Sequence, residues 1–170
     1  MKTLRRIENV LGILENTLLV LFLTVTVGLA FLQVILREFW STGMVWADVF
    51  LRHLVLWIGF FGAALAAKES RHFSINIITK RLPPIAKRIV QALLHAISAV
   101  VCYFLFHAGM SFLRDEIKYD TEPLFTLMGK NVMPYYLEVI IPIGFALIGL
   151  HFLFRAIETA VSGPQSAEVI

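Results

Sequence analysis

Five histidines, His53, His72, His95, His107 and His151, have the widest chemical reach in this 170-residue chain. An imidazole can ligate a metal, relay a proton or bond across a helix interface. If the apolar runs around them are membrane helices, His53 and His107 lie near one surface, and His95 and His151 near the other. Histidines on facing helices can hold haem, so a haem- or quinone-binding membrane anchor of a respiratory enzyme is one reading. Against it, His95 and His107 are twelve residues apart, about 120° around a helix at roughly 100° per residue. One helix feeding two stacked haems should carry both ligands on one face. Hydrogen bonding between helices or at the interface is the simpler use of these side chains.

Asp48 and Arg52 stand at i and i+4, acid first, the favourable order for a helical pair. Trp46 fits an interfacial aromatic anchor. Gly59, Gly62, Ala63 and Ala66 recur at i, i+3, i+4 and i+7, giving one smooth face for close helix packing inside the chain or against another protein. There is no hydrolytic triad, no glycine-rich phosphate loop and no cluster of metal-ligand spacing. The sequence therefore predicts neither enzyme activity nor a cofactor nor a bound metal. The lone Cys102 excludes an intrachain disulfide.

The elements that must hold these residues follow from hydrophobicity. The hydrophobic fraction is 58%, the charged fraction 16% and the mean hydropathy +0.78. A soluble domain of this size could not cover so much apolar surface, whereas lipid solvates it directly. Thr17–Leu36 is twenty residues without a charge, enough to cross roughly 30 Å of hydrocarbon. Trp46–Ala67, Ile89–Leu113 and Tyr135–Ile157 are the other three spans. Asp48, Arg52, Glu138 and Arg155 lie near the span ends, so the span centres are expected to hold no charged group. A self-sufficient ion-coupled exporter needs such groups at depth and is disfavoured. The expected fold is an all-α membrane protein, a single domain of residues 1–170. Its four transmembrane helices are joined by short amphipathic interfacial helices, and a frayed tail covers 162–170.

Lys2, Arg5, Arg6, Lys68, Arg71, Lys80, Arg81, Lys87, Arg88 and Arg155 fall on the side of the N-terminus, against Arg37, Arg52, Arg114, Lys118 and Lys130 on the other. The positive-inside rule then places both termini in the cytoplasm. A cleaved signal peptide is the rival for residues 1–30, but the apolar run continues past a signal's core. Three segments read as lying along the membrane surface: residues 4–14, Ser74–Arg88 divided by Pro83-Pro84, and Asp115–Met133. Arg5, Arg6, Lys80, Arg81, Lys87 and Arg88 would anchor the inner ones to membrane lipid.

The ordered set Trp46-Ala47-Asp48-Val49-Phe50-Leu51-Arg52, Trp57, Gly62-Ala63-Ala64-Leu65-Ala66 and His72 resembles the small, DctQ-type membrane subunit of tripartite ATP-independent periplasmic (TRAP) transporters. Arg81-Leu82-Pro83 and Tyr136 through Ile141-Pro142-Ile143-Gly144 also look like that family. Val49 and Asn76 stand where the family often has acids, and Tyr135 and Tyr136 where it often has a Trp.

The resemblance implies a non-catalytic subunit of a sodium-coupled importer for an organic acid such as a C4-dicarboxylate or sialic acid, in a bacterial or archaeal inner membrane. Its implied partners are a large elevator-type membrane subunit and a periplasmic substrate-binding protein, with no nucleic acid. Trp46, Asp48, Arg52, Trp57, Gly59, Gly62, Ala63 and Ala66 would pack on the large subunit. Arg114, Asp115, Glu116, Lys118, Asp120, Glu122 and Lys130 would border the docking surface for the binding protein.

Overall fold

The structure, a computed structural model, describes residues 2–69, 83–119 and 122–161. In order come α1 (Lys2–Trp40), α2 (Val45–Glu69), α3 (Pro84–Lys118), β1 (Phe125–Leu127), β2 (Lys130–Val132), α4 (Pro134–Glu138) and α5 (Ile140–Val161). With α4 and α5 taken as one interrupted span, four helical segments are long and apolar enough to cross a membrane, as expected.

α1 runs unbroken for 39 residues, about 58 Å at 1.5 Å per residue. The surface helix expected at residues 4–14 is therefore no separate element but the first third of α1, because no proline or turn interrupts it. Ser41, with a φ of 50°, ends the helix, and the Thr42 N–H reaches back to the Leu36 carbonyl at 3.3 Å. α3 starts at Pro84, where a missing N–H costs nothing.

The segment between α3 and α4, expected along the membrane surface, carries a small element that the sequence did not predict. Past Lys118 it folds into an antiparallel hairpin pairing Phe125 with Val132, Thr126 with Asn131 and Leu127 with Lys130. Met128 and Gly129 at its tip have φ of 51° and 78°, the two-residue turn whose twist suits antiparallel strands. Phe125 rests on Trp46 of α2, ring centroids 6.3 Å apart.

The helices pack as an open row: α1 on α2, α2 on α5, α5 on α3. Phe22 of α1 meets Trp57 and Phe61 of α2 at 5.4 and 5.9 Å, and Phe60 meets Phe145 of α5 edge-on at 5.1 Å. Two glycines permit close approaches around α5: Gly144 lies against the Phe60 ring, and Gly109 of α3 against the Pro142 backbone. Only 6% of the most apolar stretch of α1, and of α3, is buried within the chain, against 17% for α2 and 22% for the fourth span. A closed bundle buries a stripe of every helix. This row leaves most of its two outer helices to lipid or to another protein.

Candidate functional site

Three polar joints tie the row together. At the α1–α2 turn, Gln33 is nearly buried and grips the Met44 backbone twice. Its Nε2 donates to the Met44 carbonyl at 2.7 Å, and its Oε1 accepts from the Met44 N–H at 3.2 Å. The same Nε2 lies 3.3 Å from Asp48, whose other oxygen pairs with Arg37 at 2.5 Å. The expected Asp48–Arg52 pair is thus corrected: Asp48 turns towards α1, because Arg37 and Gln33 meet it across the short turn, and Arg52 is left exposed.

The second joint holds the entrance of the fourth span. The Trp57 Nε1–H donates to the Leu137 carbonyl at 2.7 Å. His53 Nε2 lies 3.8 Å from Glu138, and its Nδ1 lies 2.8 Å from the Val49 carbonyl.

The third joint sits at the other end of α2 and α5. Glu15 and His151 are 2% and 0% exposed, and both Glu15 oxygens lie 3.0–3.1 Å from His151 Nε2. One turn on, Arg155 meets Glu8 at 2.9 Å and Glu158 at 2.8 Å, and it also donates to the Lys68 carbonyl. Ala64 and Ala67, both buried, lie in the last turns of α2 beside that carbonyl in sequence.

Sequence reasoning missed this third joint by treating Arg155 singly as a charge near a span end. A signal was present. Glu8 and Glu15, seven residues apart, share a face of α1, and His151 and Arg155, four apart, share a face of α5. His151 bonds between helices, to Glu15 of α1; His53 bonds the Val49 carbonyl of its own helix and lies 3.8 Å from Glu138, and His95 lies by the Phe152 ring. His107 stands exposed beside Tyr103. His72 lies outside the described residues. Among the described residues no three His, Cys, Asp or Glu side chains converge to hold a metal ion.

Of the residues expected on a partner, Trp57 and Asp48 are used within the chain, and Trp46 carries the hairpin. Arg52, Gly59, Ala63 and Ala66 form an exposed ridge on α2, with Gly62 half-buried beneath Leu19. A Cβ added at Gly59 would meet nothing within 4 Å. Arg114, Asp115, Lys118, Glu122 and Lys130 are exposed around the hairpin, and Glu116 is half-buried. Asp120, Lys80 and Arg81 lie outside the described residues, as do the side chains of Arg5, Lys87 and Arg88; Arg6 is exposed.

Residues 26–161 match the family model for tripartite ATP-independent periplasmic transporters, DctQ component. A Haemophilus influenzae protein named as a TRAP transporter small permease is 31% identical over 45% of this chain and 48% of its own length. The ectoine TRAP transporter small permease protein TeaB of Halomonas elongata is 28% identical over 65% of this chain and 55% of its own. The sialic acid TRAP transporter permease protein SiaT of Haemophilus influenzae is 23% identical over 68% of this chain but only 18% of its own length. The chain spans about half the length of the two small permeases it matches. Four apolar spans, joints that brace helices to one another, and a family match over most of the length agree: this chain belongs to the DctQ component family of tripartite ATP-independent periplasmic transporters.

Proposed function

We propose that this chain is the small, non-transporting membrane subunit of a TRAP importer, and that it braces a large elevator-type transport subunit. The family is a transporter component rather than an enzyme. The observation that carries the reading is the match to SiaT, where a sequence like this one occupies a small part of a much longer permease. A stretch like this chain inside a longer TRAP permease supports a standing association with further permease sequence.

The structure supports a bracing role in two ways. Each buried charge at the third joint faces an opposite charge or an imidazole, so these groups stabilise helix positions. The α2 ridge offers small side chains to a neighbouring helix, and Arg52 beside them fits a partner carboxylate. In this reading the partner-facing set narrows to Arg52, Gly59, Ala63 and Ala66, with Gly62 turned to Leu19 of α1.

The hairpin and its charged surroundings border the surface where a periplasmic binding protein docks. Both termini lie in the cytoplasm, in accord with the Lys and Arg distribution, and the membrane is the cell inner membrane. The cargo is an organic acid or a similarly small polar solute, moved with sodium; the named relatives act on ectoine and sialic acid. A respiratory anchor fits less well, because the His151 Nε2 that would ligate haem is already held by Glu15.

Purification in mild detergent tests this. The unaltered chain should bring down a large TRAP permease, and a Gly59→Leu/Ala63→Leu variant should lose it while remaining folded. Undiminished yield of the large subunit would remove the ridge from the interface. Neutralising Asp115, Glu116, Asp120 and Glu122 should raise the binding-protein concentration needed for uptake; an unchanged titration would remove the hairpin region from docking.

A further inference from the structure

The first third of α1 suits two placements. Leu4, Ile7, Leu11 and Leu14 recur at helical spacing, with Lys2, Arg5 and Arg6 between them, the pattern of a helix that lies on a membrane surface. At about 58 Å, α1 is nearly twice as long as roughly 30 Å of hydrocarbon requires, so residues 2–15 are not needed to span. Yet the structure holds them in line with the span.

What holds them is polar. Glu8, Glu15, His151 and Arg155 are 5%, 2%, 0% and 6% exposed, and among the described residues Glu15–His151 at 3.0 Å and the Glu8–Arg155 ion pair at 2.9 Å tie this segment to α5, the latter without hydrogen-bond geometry at Glu8 Oε1. Lys68, Glu158 and, within electrostatic reach of Arg155, His95 of α3 are also near these groups among the described residues. The network is not fully satisfied: His151 Nδ1 and Arg155 Nε are buried without a hydrogen-bond partner. A partly satisfied buried network is held less firmly than a complete one.

A place to turn lies at the right height. The Thr17 hydroxyl donates to the Ile13 carbonyl at 2.8 Å, a back-bond that bends helices. Gly12, one turn earlier, has the Lys68 side chain against it and weakens the helix locally.

We propose that Glu8 and Glu15, closed on Arg155 and His151, are a latch for the first third of α1. Latched, the segment continues the span and covers the ends of α2 and α5. Released, it turns at Gly12–Thr17 and lies along the adjacent membrane surface, uncovering those ends. The differential contact between the two states is the pair of acid–base bridges, as a two-state element requires.

Distances between spin labels on the full chain in lipid nanodiscs test the latch, with Cys102→Ser as background and labels at the exposed positions Val10 and Ile157. The parent should show one distance. Glu8→Gln/Glu15→Gln should add a second, longer one that the parent lacks, while a control pair at Val55 and Leu153 stays unchanged. An unchanged Val10–Ile157 distribution in the variant would overturn the latch. So would two distances in the parent, or loss of the control distance together with the test distance, which would make the bridges general supports of the fold.

Discussion

The indole N–H of Trp57 closes on the carbonyl oxygen of Leu137 at 2.7 Å, joining two helices eighty residues apart in sequence. Pro142 brings no N–H for the Glu138 carbonyl four residues earlier and its ring crowds that group, and the carbonyl capped by Trp57 is the one just before it. The fourth span breaks between Glu138 and Ile140, and a neighbouring helix supplies the donor, the usual remedy where there is no water. Trp57→Phe keeps the ring against Phe22 and Phe61 but removes the donor. It should cost about 1–3 kcal/mol for the orphaned carbonyl, read as a lowered unfolding temperature in detergent; an unchanged temperature would mean that the bond adds no stability.

His151→Leu strands the Glu15 carboxylate in a buried site. Removing one member of a buried pair costs about 3–5 kcal/mol, whereas replacing both by apolar groups is often neutral. The double variant Glu15→Leu/His151→Leu should therefore be more stable than His151→Leu alone. Equal or additive losses in a double-mutant cycle would deny the coupling.

At the α1–α2 turn the buried residue should outweigh the charged one. Asp48→Ala removes a pair whose side chains are 42% and 59% exposed, and such pairs give at most about 1 kcal/mol. Gln33→Ala leaves both polar groups of the Met44 backbone without partners and should cost about 1–3 kcal/mol. Denaturant titration of the two variants gives the order directly.

Met128 at the hairpin tip is 98% exposed and sits at φ 51°, where a side chain without local hydrogen bonding costs about 1–2 kcal/mol. Met128→Asn matches the preferred turn residue and should slow hydrogen exchange at the Leu124 and strand amides. Faster exchange would show that the methionine itself stabilises the hairpin.

The spans were legible because lipid demands about twenty apolar residues in a row, a signal that survives without any alignment. Pro83-Pro84 was legible as a divider of the surface segment Ser74–Arg88, but the helix that starts there runs straight on into the third span. The hairpin was not legible: its strands are three residues each, too short for alternation to register, and Met128 replaces the usual turn signal. The Asp48–Arg52 pairing failed because helical spacing says which side chains can meet, not which rival waits across a turn; Arg37 was that rival. Glu15 and His151 lie 136 residues apart; the spacing of Glu8 and Glu15 and of His151 and Arg155 marks two charged faces, but not that those faces meet. The α2 ridge was visible as a pattern, but only the structure shows that its outer side is uncovered within the chain.

The central claim is that this chain braces a transporter without transporting. Purified chain, large subunit and binding protein, placed in sodium-loaded gradients across vesicle membranes in every combination, test it most directly. Uptake of labelled solute should appear only when both membrane subunits and the binding protein are present, and vesicles holding this chain alone should move neither solute nor cation. Sustained cation or solute movement through this chain by itself, abolished by Glu15→Gln, would contradict the account.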